Sequence, residues 1–276
     1  SHTGALVCPI PLDQEGLRTD ALRWSGARVV HVTPSHHFPL GTVMSMPRRE
    51  ALLRWAGEQP DRYIIEDDYD SEFRFDGRPV PALQSLDRDE RVIYLNTFAK
   101  SLAPSLRIGY MVLPPHLIRR YREEFLLYSS TVPSFEQYTL ARFLERGHFE
   151  RHIRRMRTIY RQRRDALVEA ADAAGLLEWG FFSGMESGLH LLFHVSLPVP
   201  ERALVEAAGE AGVGVSPLSA YSIAPLDTPG PVLVLGYGRL DPAGMVPAME
   251  RLAAAWRPLI SPLASSGGRT SSPSPP

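Results

Sequence analysis

The chain has 276 residues, 44% hydrophobic and 22% charged, with 30 Lys and Arg against 31 Asp and Glu for a formal net charge of −1. That length allows one large domain plus a smaller one, and the near-neutral balance lacks the basic excess of a free-standing nucleic-acid binder. No apolar run approaches the ~20 residues of a membrane span and no signal-peptide pattern is present, so no membrane partner is expected; the single cysteine, Cys8, precludes an intrachain disulfide and suits a reducing cytoplasm.

Residues 5–11 read as a short strand with Cys8 as a buried small hydrophobe, and Gln14 to Trp24 as a helix with Asp13 as its cap. Arg28 to Thr33 is an apolar strand that runs into Pro34-Ser-His-His-Phe-Pro-Leu-Gly41, a shaped loop by its two prolines and glycine. His36 and His37 are either ligands or a hydrogen-bonding corner; no metal is expected. Ser45 to Gly57 predicts a helix with Ser45 as cap, Pro47 near its start and Ala51, Leu52 and Trp55 on the apolar face. With the run Tyr63 to Ile65 it forms a strand–helix–strand unit, which argues for a parallel sheet with active residues at its carboxyl edge.

That run ends in Glu66, Asp67, Asp68 and Asp70, interrupted by Tyr69. Three readings fit: a solvated acidic turn, a divalent-metal site, or a carboxylate that keeps a pyridine nitrogen protonated beside a tyrosine that meets a phenolic oxygen. Alternation along an extended segment puts Asp67 on one face with Tyr69 and Asp68 on the other. Pro79 to Pro81 and Leu83 to Asp87 read as turn-rich connection.

Val92 to Leu95 is the next strand, and Lys100 follows among Phe98, Ala99 and Leu102, 33 positions after Asp67 (100 − 67). A lysine in apolar surroundings is desolvated, and its neutral amine can form a Schiff base; the other reading is a solvated loop lysine. Arg107 to Leu113 supplies one more strand, and Pro115 to Leu176 is helical throughout. Within it, seven arginines between Arg151 and Arg164 accompany Ile153, Met156, Ile159 and Tyr160 at helical spacing, an amphipathic connector with a solvated basic face.

Residues 177–260 read as an α+β unit with strands at Leu189 to Val195, Val213 to Ser216 and Val232 to Tyr237 and helices at Glu201 to Ala211 and Pro242 to Trp256. Residues 261–276 are low in complexity and predict a disordered tail. The domain division expected is 1–150 for a partial large domain with the start of the connector helices, then 151–260 for the connector and small domain.

The blocks TPSHHFPLG (33–41), IIEDDYDSEFRFDGRPVPALQSLD (64–87), RVIYLNTFAKSLAPSLRIGYMVLP (91–114), SFEQYTLARFLERGHFERHIRRMRTIYRQRRDAL (134–167) and SGLHLLF (187–193) closely resemble the MocR-type transcriptional regulators, GntR-superfamily proteins that carry an aminotransferase-like domain. The resemblance runs to about Trp256. It implies an α/β fold of the fold-type I, pyridoxal-phosphate (PLP) dependent transferase kind, here a partial large domain with a mainly parallel sheet plus an α+β small domain. Residue by residue it implies that Lys100 bonds covalently to PLP, that Asp67 partners the pyridine nitrogen and Tyr69 the ring oxygen, and that Thr97 and Arg107 hold the phosphate, a guanidinium fork matching phosphate oxygens bidentately.

The same resemblance implies a fragment, and the absence of an initial methionine points the same way. The family's DNA-binding winged helix and roughly the first third of its aminotransferase-like domain, with the phosphate cup and stacking aromatic, are expected outside these residues, so DNA would be met only through that winged helix. Phe38 stands where aminotransferases place an asparagine and Leu40 where they place a threonine. No arginine occupies the usual carboxylate-binding place near Val234-Leu235-Gly236-Tyr237; Arg239, close by, is either a weak substrate ligand or a rim residue. The expected function is effector sensing of an amine or amino acid by a cytoplasmic homodimer, with a working aminotransferase as the alternative.

Overall fold

In the computed structural model, residues 4–77, 80–223 and 228–264 are described, 261–264 as backbone only; of the tail expected at 261–276, residues 261–264 are instead helical and 265–276 lie outside the described residues. The chain divides into two units, Ser1–Arg157 with Glu186–Gly188, and Thr158–Met185 with Leu189–Pro276.

The first unit opens differently from the sequence expectation. Residues 5–11 form no strand and Cys8 is exposed, with Leu6 99% exposed beside it. Pro9 and Pro11 remove two ladder donors there, and among the described residues no strand pairs with this segment. Next comes a two-residue hairpin, β1 (Leu12–Asp13) and β2 (Gly16–Leu17), in which Asp13 Oδ1 accepts from Glu15 N at 2.9 Å and so caps a turn rather than a helix. The helix α1 is correspondingly short, Thr19–Trp24, with Leu22 buried.

β3 (Val29–Val32) leads through the loop into α2 (Met46–Gly57), and Ser45 Oγ accepts from Arg48 N at 3.3 Å as its cap. Leu52, Trp55 and Ala56 are buried on its inner face; full burial of a side chain as large as Trp55 is worth about 2–3 kcal/mol. Arg49 shares that face, which no apolar period reveals. It is wholly buried and donates to the carbonyls of Pro34 at 2.7 Å, Met44 at 3.0 Å and Pro81 at 3.0 Å, tying both ends of the 34–44 loop to the segment before the next helix.

β4 (Tyr63–Asp67) pairs in parallel with β3, and with β5 (Val92–Thr97) on its other side. Between them lies α3 (Leu83–Leu86), a short helix where the sequence reads as turn; the buried Glu66 carboxylate accepts from Leu83 N at 2.7 Å and Gln84 N at 2.8 Å, supplying from outside the cap that α3 lacks locally. One-turn α4 (Phe98–Ser101) follows β5, and β6 (Gly109–Val112) returns antiparallel to it, giving the order β3-β4-β5-β6. The core packed under this sheet includes Leu22, Val30, Val32, Leu52, Trp55 and Ile64. α5 (Pro115–Phe125) and α6 (Ser134–Glu145) bury no residue, and α7 (His148–Ala173) is the expected connector. Arg164 of α7 is buried, so the basic face is not solvated along its whole length.

The second unit carries an antiparallel sheet, β7-β8-β10-β9. β7 (Gly180–Ser183) pairs with β8 (His190–Val195), which follows the loop 184–189. α8 (Glu201–Glu210) precedes β9 (Ser216–Pro217), and β10 (Val232–Gly236) precedes α9 (Pro242–Ala264). Trp256 of α9 stacks on Phe193 at 5.9 Å and donates its indole N–H to Leu204 O at 2.9 Å, fastening both helices to the sheet.

Candidate functional site

Parallel pairing brings the carboxyl ends of β4 and β5 side by side: Asp67 is in register with Leu95, two residues before Thr97 and five before Lys100. The first unit thus carries Asp67, Tyr69, Thr97, Lys100 and Arg107 at or just beyond one edge of its sheet. Thr97 caps α4, accepting from Ala99 N at 3.1 Å while donating to Ile108 O at 3.2 Å. Its hydroxyl is therefore already engaged at both ends of the Lys100 turn.

Lys100 is exposed, so of the two readings of its surroundings the solvated one holds. The apolar neighbour that suggested the other, Phe98, turns instead onto Tyr110 at 5.5 Å and Phe149 at 5.8 Å, and the single turn carries the lysine outward. Arg107 is also exposed and holds a left-handed backbone with φ 51° at the end of a 3-10 turn, Pro104–Leu106. A non-glycine residue pays about 1 kcal/mol or more for that conformation, and such strain gathers at functional sites.

The acidic run is neither a solvated turn nor a set of like partners. Glu66 points into the core to cap α3. Asp67 lies on the other face, 35% exposed, with Oδ2 3.3 Å from His31 Nε2. Asp68 is 6% exposed and accepts from Ser71 Oγ and from Tyr94 O–H, both at 2.7 Å. Asp70 is buried against His36, Oδ2 to Nδ1 at 2.8 Å.

Tyr69 donates its hydroxyl to His36 O at 3.1 Å. Burial first, then the Asp70 carboxylate, push its pKa well above the usual phenol range, so it remains a protonated donor at any physiological pH. The adjacent histidines separate: His36 goes to Asp70, while His37 Nδ1 lies 2.9 Å from Thr33 Oγ1, its pKa lowered chiefly by burial. Both serve as the hydrogen-bonding corner of a loop that also holds the cis Phe38–Pro39 peptide, with Phe38 42% exposed. Gly188 seals the corner. At φ +84°, any Cβ there would sit 2.1 Å from His36 Cε1, so only glycine lets the 186–188 strap pass over the ring.

The sequence carries no sign of the roles of His31, Arg49 and Gly188, or of the pairing of Asp70 with His36. Alternation along β3 places His31 on the face of Asp67 once the pairing is known, but nothing in the sequence specifies that pairing. Arg239 lies in the second unit, exposed just after β10 and electrostatically close to Tyr160.

A mixed sheet with parallel strands at its centre, a carboxylate at the end of one strand and a lysine turn after its parallel neighbour define the class. The family model for aminotransferase class I and II matches residues 9–252, and the chain belongs to that family. Its curated relatives include the uncharacterized HTH-type transcriptional regulator YhdI of Bacillus subtilis (strain 168), 42% identical over 92% of this chain and 54% of that protein. The "Probable rhizopine catabolism regulatory protein MocR" of Rhizobium meliloti is 38% identical over 94% of this chain and 52% of that protein. The chain spans about half the length of the curated relatives it matches. Among solved structures, the kynurenine aminotransferase of Pyrococcus horikoshii superposes with a TM-score of 0.76 at 30% identity, covering 91% of this chain and 63% of that one.

The family implies pyridoxal phosphate, and the donor set fits it. Lys100 offers a primary amine, Asp67 a carboxylate on an open sheet face, Tyr69 a protonated phenol and Arg107 an exposed guanidinium.

Proposed function

We propose that the chain is the PLP-binding, effector-sensing part of a MocR-type transcriptional regulator, its first unit the cofactor-binding large domain and its second the small domain. The carrying observation is similarity to HTH-type regulators over more than nine-tenths of the chain, joined to a lysine, acid, phenol and guanidinium at one sheet edge. DNA is met through a helix-turn-helix segment outside residues 1–276, the effector is an amine or amino acid, and the working form is a cytoplasmic homodimer.

When bound, the cofactor supplies an electrophilic carbonyl carbon and an electron-withdrawing ring. Lys100 would hold the cofactor through its side-chain amine. Asp67 would keep a proton on the ring nitrogen, and Tyr69, kept protonated by burial and by Asp70, would donate toward the ring oxygen once its hydroxyl turned from His36 O. Arg107 and Thr97 hold the phosphate, which requires the Thr97 hydroxyl to turn from Ile108 O. An amine that binds better in one conformation of the regulator shifts its population by that difference in affinity.

Turnover demands more. A substrate carboxylate must be clamped, and misplacement by an ångström costs ~100-fold in rate. Phe38 brings no amide to the ring, and Arg239, the residue nearest the usual clamp in sequence, is an exposed side chain at the end of β10. A protein of the relatives' full length, loaded with cofactor and mixed with a panel of amines, should therefore change its visible band without accumulating a keto acid. Multiple turnovers on supply of a keto acid acceptor would make the chain a working aminotransferase.

A further inference from the structure

Behind the acidic run, the first unit holds a cavity of about 300 Å³ that neither Lys100 nor Asp67 lines. Its wall carries opposite charges: Asp68 and Asp70, against Arg74 and Arg157, with the hydroxyls of Ser35 and Ser187 between. Two of these groups are incompletely satisfied. Asp68 is nine-tenths buried, and its Oδ1 has no hydrogen-bond partner among the described residues, since Ser71 and Tyr94 both go to Oδ2. Arg74 Nε is likewise buried without a partner among the described residues. Arg157 spends its Nε on Glu72 O and leaves the rest of an exposed guanidinium.

A buried charged group left short of partners is costly, and the cost falls steeply when a ligand supplies the missing contacts. A simple cation would satisfy Asp68 and face Arg74 with the wrong sign; a simple anion would do the reverse. We propose that this cavity binds a small free α-amino acid, its ammonium on Asp68 and Asp70 and its carboxylate on Arg74 and Arg157. The volume stands at the lower end of the roughly 300–1,000 Å³ of small-molecule sites and so excludes a peptide. The site is distinct from the lysine edge and stands independently of the function proposed for it.

It is nonetheless wired to that edge. Asp68 Oδ2 accepts from Tyr94 O–H, Tyr94 accepts from Asn96 Nδ2 at 3.0 Å, and Asn96 Oδ1 accepts from the backbone N–H of Thr97, the residue that caps the Lys100 turn. An amino acid seated on Asp68 would thus bear on one end of a hydrogen-bond chain whose other end sets the lysine.

Calorimetric titration of the 276-residue chain with glycine, L-alanine and L-glutamate to about 50 mM, with propionate and ethylamine as single-charge controls, tests this. Saturable binding of at least one amino acid is expected, with both controls weaker by about tenfold or more, and unchanged binding in Lys100→Ala. Arg74→Gln and Asp68→Asn should each weaken it by about tenfold, the loss of one charge-assisted hydrogen bond. Should Asp68→Asn fail to fold, Arg74→Gln and the exposed Arg157→Gln decide. No saturable heat with any of the three amino acids, a control that binds equally well, loss of binding in Lys100→Ala, or full binding in the arginine variants would overturn the proposal.

Discussion

Single residues here take their character from what buries them. Glu72 sits near Asp68, Asp70 and Asn96, and burial together with the Asp68 and Asp70 carboxylates pushes its pKa up from 4.5 to about 7. Because the folded value lies above the unfolded one, the folded chain binds the extra proton between these values. The associated stability is complete below about pH 4.5 and is lost as pH rises through about 7. Glu72→Gln should therefore gain over the parent on the order of 2 kcal/mol at pH 8 and little at pH 4, read from urea melts at the two values. A gain equal at both would reject the assignment. At Lys100 burial is absent: its hydrophobic sequence neighbours suggest it, yet Phe98 packs elsewhere and leaves the lysine exposed.

At the scale of elements, the strand–helix–strand unit was legible because α2 has a serine cap, a proline in its first turn and apolar residues at helical spacing, and because its flanking strands are short runs of β-branched residues. What escaped are contacts that belong to no period. The hairpin at 12–17 depends on an Asp13 turn that looks like a helix cap, and α3 on a carboxylate 17 residues upstream. β7 hides in Gly-Phe-Phe-Ser, too short for alternation to show. Facing, by contrast, follows from alternation alone, and it separates two adjacent aspartates. Asp67→Asn should shift the visible absorption and its titration in a cofactor-loaded protein by weakening the hold on the ring proton. Asp68→Asn, which leaves Ser71 and Tyr94 a neutral acceptor in place of a charged one, should act mainly on thermal stability. The reverse ranking of the two spectra would reject this facing.

Across the whole molecule, two units with sheets of different construction, one parallel at its centre and one wholly antiparallel, account for the α/β and α+β halves that the sequence suggests. The first unit leaves much apolar surface open: α5 and α6 bury nothing, and Leu127, at 95% exposure, and Phe135, at 81%, stand in solvent. Among the described residues, no helix is long and apolar enough to cross a membrane. What the sequence alone could not supply is how buried polar groups such as Arg49, Asp70 and Gly188-covered His36 hold the loops behind the lysine edge, because each acts across tens of residues.

Lys100 is proposed as the residue to which pyridoxal phosphate bonds. This assignment is tested by loading a protein of the relatives' full length with the cofactor, fixing the bond with borohydride and locating the added mass in peptides. The account predicts one modified lysine, Lys100, with the visible band present in the parent and lost in Lys100→Ala; a band that persists in that variant with no second lysine modified, or a fixed adduct elsewhere in the parent, would contradict it.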